Sequence, residues 1–157
     1  MSDRKFILVV DTTNMKPASL DQNIIYLCAD FSHKFSQAMA AAFRQHDIDI
    51  TAEQFSILVA LWYRDGMSQK EISEQLNRDK TTITRVLINM KKNKLIRQVT
   101  DANDNRSNLI YLTAKGKAIQ QAGVSVAGRL YQQVLKDLSK TQLKAGIDIL
   151  QKMIAAL

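Results

Sequence analysis

The chain has 157 residues, 46% hydrophobic and 24% charged, a globular balance with enough length to bury a core without staples. No apolar run approaches the roughly 20 residues of a membrane span; one cysteine forbids an intrachain disulfide, and that thiol with two histidines makes no convincing zinc site. The net charge of +7 is uneven: −1 over residues 1–50, +3 over 51–112 and +5 over 113–157.

The first apolar run, Phe6-Ile7-Leu8-Val9-Val10, is too short for a signal-peptide core and no small-residue cleavage site follows it, so a cytoplasmic location is expected. An added strand and an arm over a partner subunit both fit this run. A capping box at Ser19-x-x-Gln22 predicts a first helix over about 20–44, with a stripe of Ile24, Cys28, Phe31, Phe35, Met39 and Ala42. A second box, Thr51-x-x-Gln54, opens a helix over about 52–63 with Phe55, Leu58, Val59 and Trp62 on one face. A third, Ser68-x-x-Glu71, opens a short helix over about 69–76 that buries Ile72 and Leu76. After a tight connection at Asn77-Arg78, a fourth helix covers about 80–92. The period then changes, and residues 96–100 and 109–112 read as two strands around the polar loop 101–107, a β-hairpin. A fifth helix spans 113 to about 138. The box Ser139-x-x-Gln142 opens a sixth, from 140 to the end, whose apolar residues Leu143, Ile147, Leu150, Ile154 and Leu157 follow spacings of 4, 3, 4 and 3.

This order predicts a mainly α fold with a small β-hairpin wing (α+β): a winged helix-turn-helix carried on long N- and C-terminal helices. The chain reads as a single domain, 1–157, made of dimerisation helices at 1–48 and 113–157 and a DNA-binding module at 50–112. One small module cannot cover the stripes of both the first and the sixth helix, so a homodimer is expected, with Leu143, Ile147, Leu150, Ile154 and Leu157 in its interface.

Double-stranded DNA is the expected partner because of the stretch from Arg78 to Arg97. It holds Arg78, Lys80, Arg85, Lys91, Lys92, Lys94 and Arg97 against the single acid Asp79, where a merely solvated helix would mix its signs. In the fourth helix Ile83, Val86, Leu87 and Met90 share one arc; Thr81, Arg85, Ile88 and Lys92 centre the opposite one, flanked by Thr84 and Asn89. These six, with Lys80 and Thr82, are the candidate recognition-helix contacts: Arg suits guanine, and an exposed Ile88 suits a thymine methyl. Arg78, Lys91, Lys94 and Arg97 are candidate backbone contacts. In the loop, Arg106 fits a narrow minor groove better than its alternative, an ion pair with Asp104 or Asp101, and Asp104 and Ser107 join it as candidate wing contacts. No phosphate loop, nucleophile elbow or paired-carboxylate spacing points to an enzyme, and no cofactor or metal is expected.

These residues resemble the MarR family of bacterial regulators. The likeness runs from about Ile50 to Gly116: Ile50-Thr51-Ala-Glu-Gln54, Ser68-Gln-Lys-Glu-Ile-Ser73, Lys80-Thr-Thr-Ile-Thr-Arg-Val-Leu87 and Leu95-Ile96-Arg97, then Asp104-Asn105-Arg106-Ser107, similar to the family's D-x-R-S wing element, and Leu112-Thr113-x-x-Gly116. The resemblance implies a homodimer with interlocked terminal helices and two wings astride a palindromic operator. It also implies a repressor released by a small ligand, often phenolic or aromatic, or by thiol oxidation; Trp62 and Tyr63 are candidates to line an effector pocket, although core packing is the simpler expectation for Trp62. One departure is Lys94, where the family usually has glycine. Either Asn93 takes the left-handed position after the fourth helix, or Lys94 bears a strain of roughly a kcal/mol. Two further readings remain beside the regulator: a winged-helix adaptor for protein partners, which would carry acids or an apolar patch on the outer arc, and a redox switch at Cys28. No Lys or Arg lies within four residues of that thiol, as expected of a buried apolar cysteine.

Overall fold

The computed structural model describes residues 20–101 and 107–157; the Phe6 to Val10 run, Ser19, Asp104 and Arg106 lie outside the described residues. A 3-10 turn, Leu20–Gln22, precedes α1 (Ile24–Gln45), followed by α2 (Ala52–Tyr63), β1 (Met67–Ser68), α3 (Gln69–Gln75), α4 (Lys80–Lys92), β2 (Ile96–Thr100), β3 (Asn108–Leu112), α5 (Ala114–Leu135) and α6 (Lys140–Ala155). The chain divides into two compact units, one ending at Gln37 and one spanning Ala38–Leu157. Among the described residues no helix is long and apolar enough to cross a membrane.

The expected boxes at Thr51, Ser68 and Ser139 are all formed, each hydroxyl taking the amide three residues on while the Gln or Glu side chain reaches back. The first helix starts differently. Asn23 Oδ1 accepts from the amides of Ile25 and Tyr26 at 3.0 and 3.1 Å, so α1 opens at Asn23; the box expected at Ser19 lies outside the described residues. The fifth helix ends at Leu135, three residues short of expectation.

The core of the larger unit is drawn from every element of the module. Ile57, Leu58 and Leu61 of α2 and Ile72 of α3 are fully buried with Met90 of α4 and Ile110 of β3, and Ile83, Leu87 and Ile96 join them. Each such side chain contributes about 1.5–3 kcal/mol by leaving water. Phe43, near the end of α1, meets Phe55 of α2 edge-on at 5.0 Å. The face expected of α2 needs correction: Ile57, Ala60 and Leu61 are buried beside Leu58, whereas Trp62 is 56% exposed and not a core residue. This helix is apolar nearly all round, so periodicity alone could not choose its inner face. Leu76 is half-buried rather than buried.

The sheet is antiparallel in the order β1-β3-β2, with Ile96 opposite Leu112 and Gln98 opposite Ile110. The short β1 was not expected; it pairs Met67 with Ile110. Behind the sheet the chain re-enters helix at Thr113, whose hydroxyl donates to the Lys94 carbonyl at 2.6 Å and accepts from the Gly116 amide. At Gly116 a Cβ would stand 2.0 Å from the Leu95 carbonyl oxygen, so only glycine lets α5 cross this close to the start of the wing.

Candidate nucleic-acid interface

The orientation of α4 is set at both ends and along one side. The turn before it places Asn77 at φ 47, tolerable for asparagine, and Arg78 N–H donates to the Ser73 carbonyl at 3.0 Å. Asp79, the lone acid of the basic stretch, is the N-cap: its carboxylate accepts from the Thr82 hydroxyl at 2.6 Å and the Thr82 amide at 2.8 Å. Those bonds, the hydroxyl's first, hold the Asp79 carboxyl below its usual range. Ile83, Leu87 and Met90 press the inner arc into the core. Along the side, Gln54 of α2, 6% exposed, donates from Nε2 to Asn89 Oδ1 at 2.7 Å.

The opposite arc is open to solvent. Lys80, Thr81, Thr84, Arg85 and Ile88 line a shallow groove along α4, and Ile88 is 65% exposed at its centre. A second hollow, lined by Gln69, Thr84, Leu87, Ile88, Lys91, Lys92 and Gln98, shares Thr84 and Ile88 with the first and runs on towards β2. Five of the sequence-chosen contacts, Lys80, Thr81, Arg85, Ile88 and Lys92, are exposed on this face, and among the described residues their side chains make no hydrogen bond or salt bridge. The other three are engaged within the chain: Thr82 in the cap, Thr84 by Gln69 Nε2 at 2.6 Å, and Asn89 by Gln54.

The remaining basic residues do not share one face. Lys91 Nζ donates to Gln98 Oε1 at 3.0 Å, which ties α4 to β2. Arg97 sits 4.6 Å above the Tyr111 ring, on the side of the sheet opposite Gln98 and the buried Ile110. That ring lies against Gly66, where any Cβ would fall within 2.8 Å of it. Arg78 and Arg85 both lie near Glu53, whose carboxyl is held low by its own backbone amide first, then by the Thr51 hydroxyl, with the two guanidinium charges adding less. Lys94 carries the left-handed conformation, φ 58, while Asn93 stays at φ −80. The strain therefore falls on the lysine. Ser107 closes the wing ladder, its carbonyl accepting from the Asp101 amide at 2.9 Å.

Away from this face, α6 buries no residue: Ile147, Leu150 and Ile154 are exposed and Leu143 is half-buried, and Leu157 just beyond its end is exposed too. Trp62 and Tyr63 end α2 as an exposed tilted pair, ring centroids 5.6 Å apart. Cys28 is a free, half-buried thiol of the smaller unit. Among the described residues no group of three or more His, Cys, Asp or Glu could hold a metal ion. Sequence reasoning missed Gln54 and Gln69 as orienting residues; both stood in plain view as capping-box or first-turn glutamines, but their second partners on α4 are distant in sequence.

Residues 50–107 match the model of the MarR family. The organic hydroperoxide resistance transcriptional regulator of Bacillus subtilis is 33% identical over 103 residues, 64% of this chain and 69% of that protein. The transcriptional regulator TtmR of Methylorubrum extorquens is 31% identical over 104 residues; that match takes in 66% of this chain and only about half, 52%, of TtmR. Among solved structures, S. aureus MepR in complex with DNA superposes with a TM-score of 0.78 at 31% identity, covering 88% of this chain and 99% of MepR. With its winged helix-turn-helix, its exposed basic face on α4 and relatives of this identity, the chain belongs to the MarR family of DNA-binding transcriptional regulators.

Proposed function

We propose that the protein is a repressor that binds a palindromic operator as a homodimer and leaves it when a small aromatic or phenolic effector binds. The observation that carries the DNA half of this reading is the outer arc of α4, where Lys80, Thr81, Arg85 and Ile88 stand exposed along one groove and Lys92 in the hollow that continues it. An adaptor surface would carry acids or a broad apolar patch there, and this arc has neither. Arg85 reads a base from the middle of the arc, while Lys91 and Lys94 meet phosphates from its end. Arg106, in the element similar to the family's wing motif, serves an A·T-rich minor groove at the flank. A two-fold dimer sets the half-site centres about 10 bp apart, one helical turn. The exposed apolar residues of α6 support the dimer, and the solvent-facing Trp62–Tyr63 pair supplies aromatic surface for the effector.

The deciding experiment is selection of bound sequences from a random duplex pool, followed by binding of the recovered motif to variants. Arg85→Ala costs about 1–3 kcal/mol on that motif and relaxes preference at one position. Lys94→Ala weakens all sequences alike and lowers the salt slope by about 0.9. Equal losses for both variants on motif and random DNA would remove Arg85 from base reading.

A further inference from the structure

We infer that a relay of side-chain amides behind the recognition helix fixes Asn89 as a hydrogen-bond donor, so that it meets guanine, thymine or phosphate acceptors and cannot read adenine. The inference deepens the proposed reading of DNA by α4 and rests on it. The relay begins at a group with no choice of role. The Thr51 backbone N–H can only donate, and its acceptor, at 2.9 Å, is Gln54 Oε1. The other half of that amide is therefore Nε2, which donates to Asn89 Oδ1 at 2.7 Å. The same Oδ1 accepts from Asn93 Nδ2 at 3.1 Å. Turning the Asn89 amide over would set its NH2 against two other NH2 groups, one of them on the buried Gln54, leaving donors without acceptors. Turning Gln54 as well would set its NH2 against the Thr51 N–H. Polarity thus passes from a backbone N–H at the start of α2 to the exposed edge of α4, and Asn89 keeps only its two amide protons for a ligand.

Adenine presents an acceptor, N7, beside a donor, N6, so an asparagine that reads it needs both halves of its amide. Guanine N7 and O6, thymine O4 and a phosphate oxygen only accept, and they fit the group that is left. The charged neighbours on the helix lean the same way: Lys80, Arg85 and Lys92 are donors by their chemistry, whereas the Thr84 and Thr82 hydroxyls spend their one proton within the chain, on the Lys80 carbonyl at 2.7 Å and on Asp79. Gln54 is thus a positioning residue for specificity, acting through Asn89 and touching no DNA itself.

The test combines sequence selection with side-chain amide exchange. Bound duplexes are selected from a random pool by the wild type, Asn89→Ala, Gln54→Glu and the double variant. A carboxylate at Gln54→Glu still accepts from Thr51 but has no proton for Asn89, so the Asn89 amide turns its oxygen outward. The expected result is a new preference of about fivefold or more for adenine or cytosine at one position per half-site in Gln54→Glu, absent from the double variant. In the DNA-free wild type, NMR should show the Gln54 amide protons protected from exchange and those of Asn89 exchanging fast. A wild-type adenine preference that Asn89→Ala removes would overturn the proposal, as would a protected Asn89 amide beside an unprotected Gln54. If Gln54→Glu does not fold, the wild-type and Asn89→Ala selections and the exchange pattern decide alone. If no protein selects any sequence, base reading by α4 falls and this inference about specificity with it, while the exchange pattern still decides whether the relay exists.

Discussion

The helices α4 and α6 carry the same local signal and meet different fates. Both are amphipathic, of 13 and 16 residues, and each opens on a side-chain cap, Asp79 or Ser139. Yet α4 buries Ile83, Leu87 and Met90 against its own module, while α6 leaves Ile147 55%, Leu150 45% and Ile154 70% exposed. An apolar stripe announces that a helix will be covered; it does not say by which molecule. The module of α2, α3, α4 and the wing closes its core within one chain. The stripe of α6 is left for a second copy in the proposed dimer.

The largest effect should come from breaking that stripe. Leu150→Glu together with Ile154→Glu removes two apolar anchors, each contributing about 1.5–3 kcal/mol when buried. Sedimentation at low micromolar concentration should then show monomer, with operator binding lost. An unchanged dimer would place the interface elsewhere. Next comes the module's own close approach. Gly116→Ala drives a Cβ into the Leu95 carbonyl and should cost about 3 kcal/mol in urea unfolding. Gly146→Ala in α6 meets nothing within 4 Å in the single chain and sharpens the contrast. It should gain about 0.5–1 kcal/mol if solvent covers it, and weaken the dimer if a partner does.

A smaller gain tests the end of α4. Asp47, Asn77 and Lys94 hold positive φ, and of these only the lysine lacks the short polar side chain that eases the conformation. Lys94→Gly should therefore raise stability by about 0.5–1 kcal/mol, whereas Lys94→Ala should not. The gentlest effect is on pH. Bonds from Thr82 hold the Asp79 carboxyl below its ordinary value of 3.8, so the unfolded chain takes up the proton first. The cap contributes fully above 3.8, and that contribution is lost as pH falls through the lower folded value. The wild type should lose stability more steeply with acid than Asp79→Asn, and equal slopes would show that the cap adds nothing.

Much of this molecule was legible from residues alone because its signals are local. A hydroxyl three residues ahead of Gln or Glu marks a helix start through bonds within one turn, which is why α2 begins at the expected residue and why the boxes at Thr51, Ser68 and Ser139 formed as read; α4, capped by Asp79, also keeps its expected bounds. The outer arc of α4 followed from 100° of rotation per residue, and Ile88 stands exposed there as its spacing required. The tertiary structure decided what rotation could not. It chose Ile57 and Leu61 over Trp62 in a helix apolar on all sides. It added the two-residue β1, too short for any alternation to show, and it placed the left-handed turn on Lys94 rather than Asn93 because the chain must leave α4 at the angle that brings Leu95 under Gly116. It also joined Gln54 to Asn89 across 35 positions of sequence. Capping, period and charge are properties of neighbours along the chain, so the sequence determined the elements, their order and the basic face. Partners distant in sequence exist only once the core has closed, so which way the Asn89 amide points was settled by the fold.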